Sequence, residues 1–455
     1  MSYLEQFLEF LASPYGLVGL CLSAFVWVHA RPAYRRLHWF LLSLFGFAAS
    51  LGEFRNRWIE EAPALVFPLE QLRDAGRPLS IFLLGLLLLV ALRTRKGWRS
   101  DTLPTPVLYL IVVQLLVFFK TLQYGSLTFA LISFVTFGAI IFMMAQGPSQ
   151  WLQNQRNFEL GIWSIVTVGI IFIVANLYQA SKDLHAIMFV HGLLTGTTGN
   201  PQHAAVLLMA TIPCFLFLIQ KPNQIKLLRW FWIACLAMTV FGLTLTGSRT
   251  GGLSAIVAVI LFYRYQWDKF VRLGLGVAVV LAAIWLFAPN AQLPVEGFSI
   301  DSPLSELGSL RNTRTGVWQA QWRTFMEHPW FGAPLTGSRL GYGENSWLAA
   351  GASLGLLGFI PIVLFGIESI RNLIRLDRIA VKQPSLYVHC SVVIAGIGGL
   401  LVGSFAEGYL LGNLTFSLIA LLLYQFLGTY LLDLEKRTRK LQQEGTMPIT
   451  RSSTI

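Results

Sequence analysis

Thirteen apolar runs, at about 11–30, 37–52, 79–92, 104–119, 126–145, 159–178, 203–220, 230–246, 250–263, 273–288, 345–367, 386–404 and 409–431, take up most of the chain. A bilayer core of about 30 Å is spanned by roughly 20 apolar residues in a helix, and by fewer where flanking side chains snorkel to the interface. Repeated this often, the runs point to one architecture: an all-α polytopic membrane protein of about 12–13 transmembrane helices, a single integral membrane domain over 1–455. The composition excludes an ordinary soluble protein. Only 12% of residues are charged, against about a quarter in soluble domains. The 14 tryptophans suit a chain that crosses many membrane–water interfaces.

Charge along the connectors supplies the orientation. With the N-terminus outside, 23 of the 34 Lys and Arg residues fall in the inside connectors around Arg31, Arg93, Arg156, Lys221, Arg264 and Arg371 and in a cytoplasmic tail, 433–455. That distribution obeys the positive-inside rule, so the +12 net charge reports topology and no nucleic-acid partner is expected. Cys21, Cys214, Cys235 and Cys390 all lie inside apolar runs without metal-ligand spacing and read as small buried hydrophobes. Glu5 and Glu9 replace the basic start of a cleavable signal, so the first run is expected to be retained.

The remaining basic residues lie outside, where topology does not explain them. The second half of the chain has one long polar interval, a loop inserted between helices, 289–344, which carries Arg311, Arg314, Arg323, Glu327, His328, Arg339 and Glu344. Within it, Leu310 to His328 reads as a helix along the membrane surface. Arg311, Arg314, Trp318 and Trp322 fall on one helical face, suited either to a sugar phosphate or to interfacial anchoring. Glu344 opens the next apolar run, as a helix-capping acid or as a base at the mouth of a helix packed through Gly351, Gly355 and Gly358. Arg249, between Ser248 and Thr250, has no acid near it in sequence, and an anionic ligand is a candidate partner. In His191–Ala205, the Gly199-Asn200-Pro201-Gln202-His203 segment starts a helix and either caps it or offers backbone N–H groups to a phosphate.

Three of these features together resemble the O-antigen ligase and O-antigen polymerase superfamily of bacterial inner-membrane glycosyltransferases. They are Gly199-Asn200-Pro201-Gln202-His203-Ala204, then Ser248-Arg249-Thr250-Gly251, then a block with Arg314, Trp318, Glu327-His328-Pro329, Gly332, Asn345-Ser346-Trp347-Leu348 and Gly351 through Gly358. The resemblance implies transfer of a glycan from a polyprenyl-diphosphate carrier to an acceptor hydroxyl at the periplasmic face, without metal or other cofactor. The acceptor would be a growing glycan or a lipid A core, and membrane lipids would be the other partners. It also implies that Arg249, Arg311 and Arg314 hold the diphosphate, with Trp318, Asn345 and Asn200 lining the substrate site. The sequence departs from the family where His-Asn is usual: here Glu344-Asn345 stands, leaving Glu344, His328 or His203 as the base, or a different activity, and this departure is the ground for preferring polymerase over ligase. An arginine often found before Gly-Asn-Pro is also absent, with Leu193 and Leu194 in that neighbourhood. The alternative from another class is a transporter or flippase of lipid-linked glycans. That reading predicts charges buried at mid-helix and helices broken at the midplane.

Overall fold

In the computed structural model the described residues are 14–31, 34–51, 63–94, 103–124, 127–222, 224–269, 271–272, 274, 314–334, 344–411 and 414–444. They fold as helices α1 (Pro14–His29), α2 (Arg35–Ser50), α3 (Leu69–Asp74), α4 (Gly76–Thr94), α5 (Thr105–Tyr124), α6 (Leu127–Gln146), α7 (Pro148–Trp151) and α8 (Gln155–Ala180). There follow α9 (His185–Met188), α10 (Pro201–Gln220), α11 (Lys226–Leu245), α12 (Arg249–Tyr263), α13 (Thr315–Glu327), α14 (Ser346–Lys382), α15 (Tyr387–Ser404) and α16 (Phe416–Gln443). Twelve of the thirteen apolar runs correspond to helices. The run at 273–288 lies almost wholly outside the described residues.

Nine of the described helices are long and apolar enough to cross a bilayer, and α12 and part of α1 are shorter apolar helices. The protein is an all-α, multi-pass membrane protein. Helices α10 and α15 form its centre: 83% and 78% of their spanning windows are buried, against 22% for α11, whose apolar side chains Leu227, Trp230 and Phe231 face outward. In water such a surface would aggregate; in lipid it is the ordinary exterior. Close approach at the centre depends on small residues in α15, where a Cβ on Gly399 would stand 3.0 Å from the Cβ of Ala258 in α12 and 3.1 Å from Met209 Sδ in α10.

Polar groups collect at the two ends. One end joins the C-termini of α10, α12 and α14 to the starts of α2, α8 and α15. There Arg264 Nε meets Asp377 Oδ1 at 2.5 Å, Lys221 Nζ meets Glu159 Oε2 at 2.7 Å, and Arg35 Nη2 donates to Gln153 Oε1 at 2.6 Å. The other end gathers the N-termini of α10, α12, α13 and α14. Its loops are tied to helix ends, Val66 N donating to Gln179 Oε1 in the last turn of α8 and Leu194 N to the carbonyl of Leu245 at the end of α11.

The structure sets three helix limits. Among the described residues the surface helix begins at Thr315, the expected start at Leu310 lying outside them, and Arg314 occupies the N-cap position with its guanidinium drawn into the protein. Residues 433–443 continue α16, so the expected tail begins as helix. The α14 run also extends to Lys382, and Gly355 takes φ +65°, so two helical pieces meet at a break about three turns from the N-terminus.

Candidate functional site

Local sequence builds three of the four helix starts that meet at the site end. Asn200, in an extended conformation, accepts from the N–H groups of Gln202 (2.8 Å) and His203 (3.4 Å), with Pro201 at the first helical position where no N–H is needed. Asn345 does the same for Trp347 (2.9 Å) and Leu348 (3.0 Å), and Ser248 for Gly251 (3.2 Å). The backbone donors of the Asn200 segment therefore go to its own cap. This is the capping alternative of the sequence reading. The N-terminal turns of α10 and α12 touch, since a Cβ on Gly251 would fall 2.6 Å from that of Ala205.

Between these starts lies a buried ionic network. Arg314 Nη2 donates to Glu407 Oε1 at 2.8 Å, Arg314 Nε stands 3.4 Å from Glu344 Oε2, and Arg314 Nη1 donates to the carbonyl of Ala406. Gln202 joins with its amide oriented to suit both neighbours, its nitrogen donating to Glu407 Oε2 at 3.2 Å and its oxygen accepting from Arg314 Nη2 at 2.7 Å. Ser346 Oγ, in the first turn of α14, donates to the carbonyl of Glu407 at 2.6 Å and accepts from Leu410 N at 3.2 Å. Four segments remote in sequence thus meet on one guanidinium and one carboxylate. The Arg314 and Glu407 side chains are 14% and 10% exposed, whereas Glu344 is 41% exposed.

The electrostatics follow from this burial. Glu407 has its pKa raised, first by desolvation; Arg314 and the nearby His203 oppose that shift and Glu344 adds to it. A planar guanidinium suits this position because it can serve several acceptors at fixed angles. Burial would be unfavourable for either ion alone, and each carries hydrogen bonds beyond the pair itself.

Of the residues singled out in sequence, the structure brings together Arg314, Glu344, Asn345, Asn200 and His203, with Arg249 on the first turn of the adjoining α12. Trp318 lies one turn into α13, partly buried, with Nε1 lacking a hydrogen-bond partner among the described residues. His328 is at the opposite, exposed end of α13, roughly 20 Å of helix from Arg314, so it is not part of the cluster. Arg311 and Arg339 lie outside the described residues. Sequence reasoning missed Glu407 and Gln202. Glu407 was marked by one signal: it is the sole acidic residue between Asp377 and Asp433.

These features define a multi-pass membrane protein with a polar, arginine-centred site at one end of its helical bundle. Residues 233–363, from α11 into α14, match the O-antigen ligase family. That stretch includes Arg249, Arg314, Glu344 and the α14 break, and the match supports the O-antigen ligase and O-antigen polymerase superfamily and a glycan-transfer role in polysaccharide assembly. The search of curated proteins found no match to the chain.

Proposed function

We propose that the protein is a glycosyltransferase of the bacterial inner membrane that moves a glycan from a polyprenyl-diphosphate carrier to an acceptor hydroxyl at the periplasmic face, with polymerase preferred over ligase. The observation that carries this reading is the Arg314–Glu344–Glu407 network, of which Arg314 and Glu344 lie within the family-matched stretch. The acceptor oxygen attacks the anomeric carbon, the bond from that carbon to the diphosphate oxygen breaks, and the diphosphate leaves with the electron pair. Arg314 and Arg249, with Arg311 as a further candidate, stabilise the negative charge on the leaving group. Glu344, the accessible carboxylate of the network, takes the acceptor proton. A single displacement inverts the anomeric configuration.

Glu407 gives the site a fixed side and a variable side. It holds Arg314 from within, while the longer 3.4 Å contact to Glu344 faces outward. A diphosphate arriving at that outer edge competes with Glu344 for Arg314 and frees the carboxylate for the acceptor. His203 stays a candidate proton carrier through its proximity to Glu407. A break such as that in α14 is a feature the transporter reading predicts, but here two of its backbone groups are taken by the protein itself, Pro329 O accepting from Leu356 N and Ala352 O from Ala333 N, which favours an enzyme.

The test is lipid-linked donor consumption and glycan chain length for wild type, Arg314→Ala and Glu344→Gln. Full activity in both variants would remove this site assignment. Transfer by the purified protein onto a lipid A core without polymer would decide for ligase.

A further inference from the structure

We propose that Lys120 is a positioning residue for Arg314: from inside α5 it latches the 328–334 turn into the break of α14 and thereby fixes α13 over the site. The idea rests on the glycosyltransferase reading only for its activity readout. Lys120 is buried, and its Nζ donates to the carbonyls of Phe331 at 2.7 Å and Gly332 at 3.2 Å. A buried ammonium in an apolar helix is expensive, and a residue of that size with only a packing role is as well served by methionine. The two carbonyls it serves belong to a turn lying backbone against backbone on α14.

That fit leaves no slack. Gly332 has φ +71°, and a Cβ there would stand 2.2 Å from the Ser353 carbonyl carbon; Gly355 has φ +65°, and its Cβ would stand 2.4 Å from the Trp330 carbonyl. Each chain thus needs glycine where it meets the other. Hydrogen bonds from Leu356 N to Pro329 O (2.7 Å) and from Ala333 N to Ala352 O (2.8 Å) close the joint. The turn runs directly back into α13 through Gly332 N to His328 O and His328 N to Thr324 O. Phe325 then seats that helix on Gly351 and Phe359 of α14. A short rigid helix fixed at its C-terminal end transmits any movement of the turn to Arg314 at its N-terminal end. Displacement of a catalytic group by about 1 Å is enough to cost on the order of 100-fold in rate.

The experiment compares full-length wild type, Lys120→Met and Lys120→Arg in detergent by hydrogen exchange across 315–334 and by kcat and KM with polyprenyl-diphosphate-linked oligosaccharide. We expect Lys120→Met to exchange at least tenfold faster across 315–334 and to lose roughly 10- to 100-fold in kcat with KM little changed, and Lys120→Arg to restore much of both. Lys120→Met with wild-type exchange and kcat would overturn the proposal, as would unchanged exchange with lowered kcat. If Lys120→Met is not recovered folded, Lys120→Gln carries the same expectations with the same overturning results. Faster exchange in a protein whose wild type shows no glycan transfer would leave the latch standing and defeat the glycosyltransferase reading instead.

Discussion

At the end of the bundle that carries Arg264 and Lys221, charges pair across helix termini that are otherwise regular: Arg264 with Asp377, Lys221 with Glu159. At the Arg314 end a single arginine stands between two carboxylates, and the backbone is bent to bring them there. Every described residue with positive φ, His191, Gly192, Gly196, Gly199, Gly247, Gly332 and Gly355, lies at that end or within about three turns of it. The first end is what a membrane bundle needs to orient and close. The second holds conformations and charges that are unfavourable in isolation, the usual mark of a site arranged for chemistry.

Arg314→Ala should test the contrast most severely. Glu407 would be left buried without its counter-charge, which costs about 3–5 kcal/mol, and glycan transfer should vanish. Both effects are read from thermal unfolding in detergent and donor consumption. Arg314→Met combined with Glu407→Leu should recover most of the stability and none of the activity, because an apolar pair can replace a buried ion pair but not its chemistry. A double variant that transfers glycan would mean that the network is only structural. Next in size is Glu344→Gln. Its side chain is the exposed member of the network, so loss of a general base should lower kcat by about 10²- to 10⁴-fold while the melting temperature stays within a degree or two, roughly the scatter of a surface change.

Gly332→Ala strikes the bent backbone rather than the charges. With positive φ and a 2.2 Å clash against Ser353, it should destabilise by about 1–3 kcal/mol or more and lower activity along with stability. Arg264→Gln, at the regular end, removes charge-assisted bonds to Asp377 and Ser391. It should lose about 1.5–3 kcal/mol by the same unfolding assay yet keep wild-type kcat per folded molecule. A fall in kcat there would erase the distinction between the two ends.

Much of this contrast was legible in the sequence wherever its cause was local. Twelve of the runs correspond to helices, and the Asn200, Ser248 and Asn345 caps lie where a polar side chain precedes an apolar segment. The gathering of Arg314 and Glu344 followed from their common placement outside the inside-positive connectors. What escaped had non-local causes. Glu407 sits in a short connector after α15 and gains its meaning only from Arg314, 93 positions earlier. Gly355 read as one more small residue at a helix contact, because the turn that breaks the helix there is contributed by residues 329–333. Lys120 was one of the outer basic residues that topology does not explain, and its partners, two carbonyls of that turn, are far from it in sequence.

The smallest expected effect concerns the proton on Glu407. Its pKa is raised in the fold, burial outweighing the opposing pull of Arg314, so the folded protein binds the proton more tightly than the unfolded chain does. Stability from this group is therefore greatest below the unfolded value of 4.5 and is lost as pH rises through the folded value. Glu407→Gln abolishes that dependence. Its melting temperature relative to wild type should be higher at neutral pH than at pH 4.5, and the gap should close on acidification. A gap that widens as pH falls would mean that Arg314 holds Glu407 more strongly than burial opposes it, making this end a simple ion pair like those at the other.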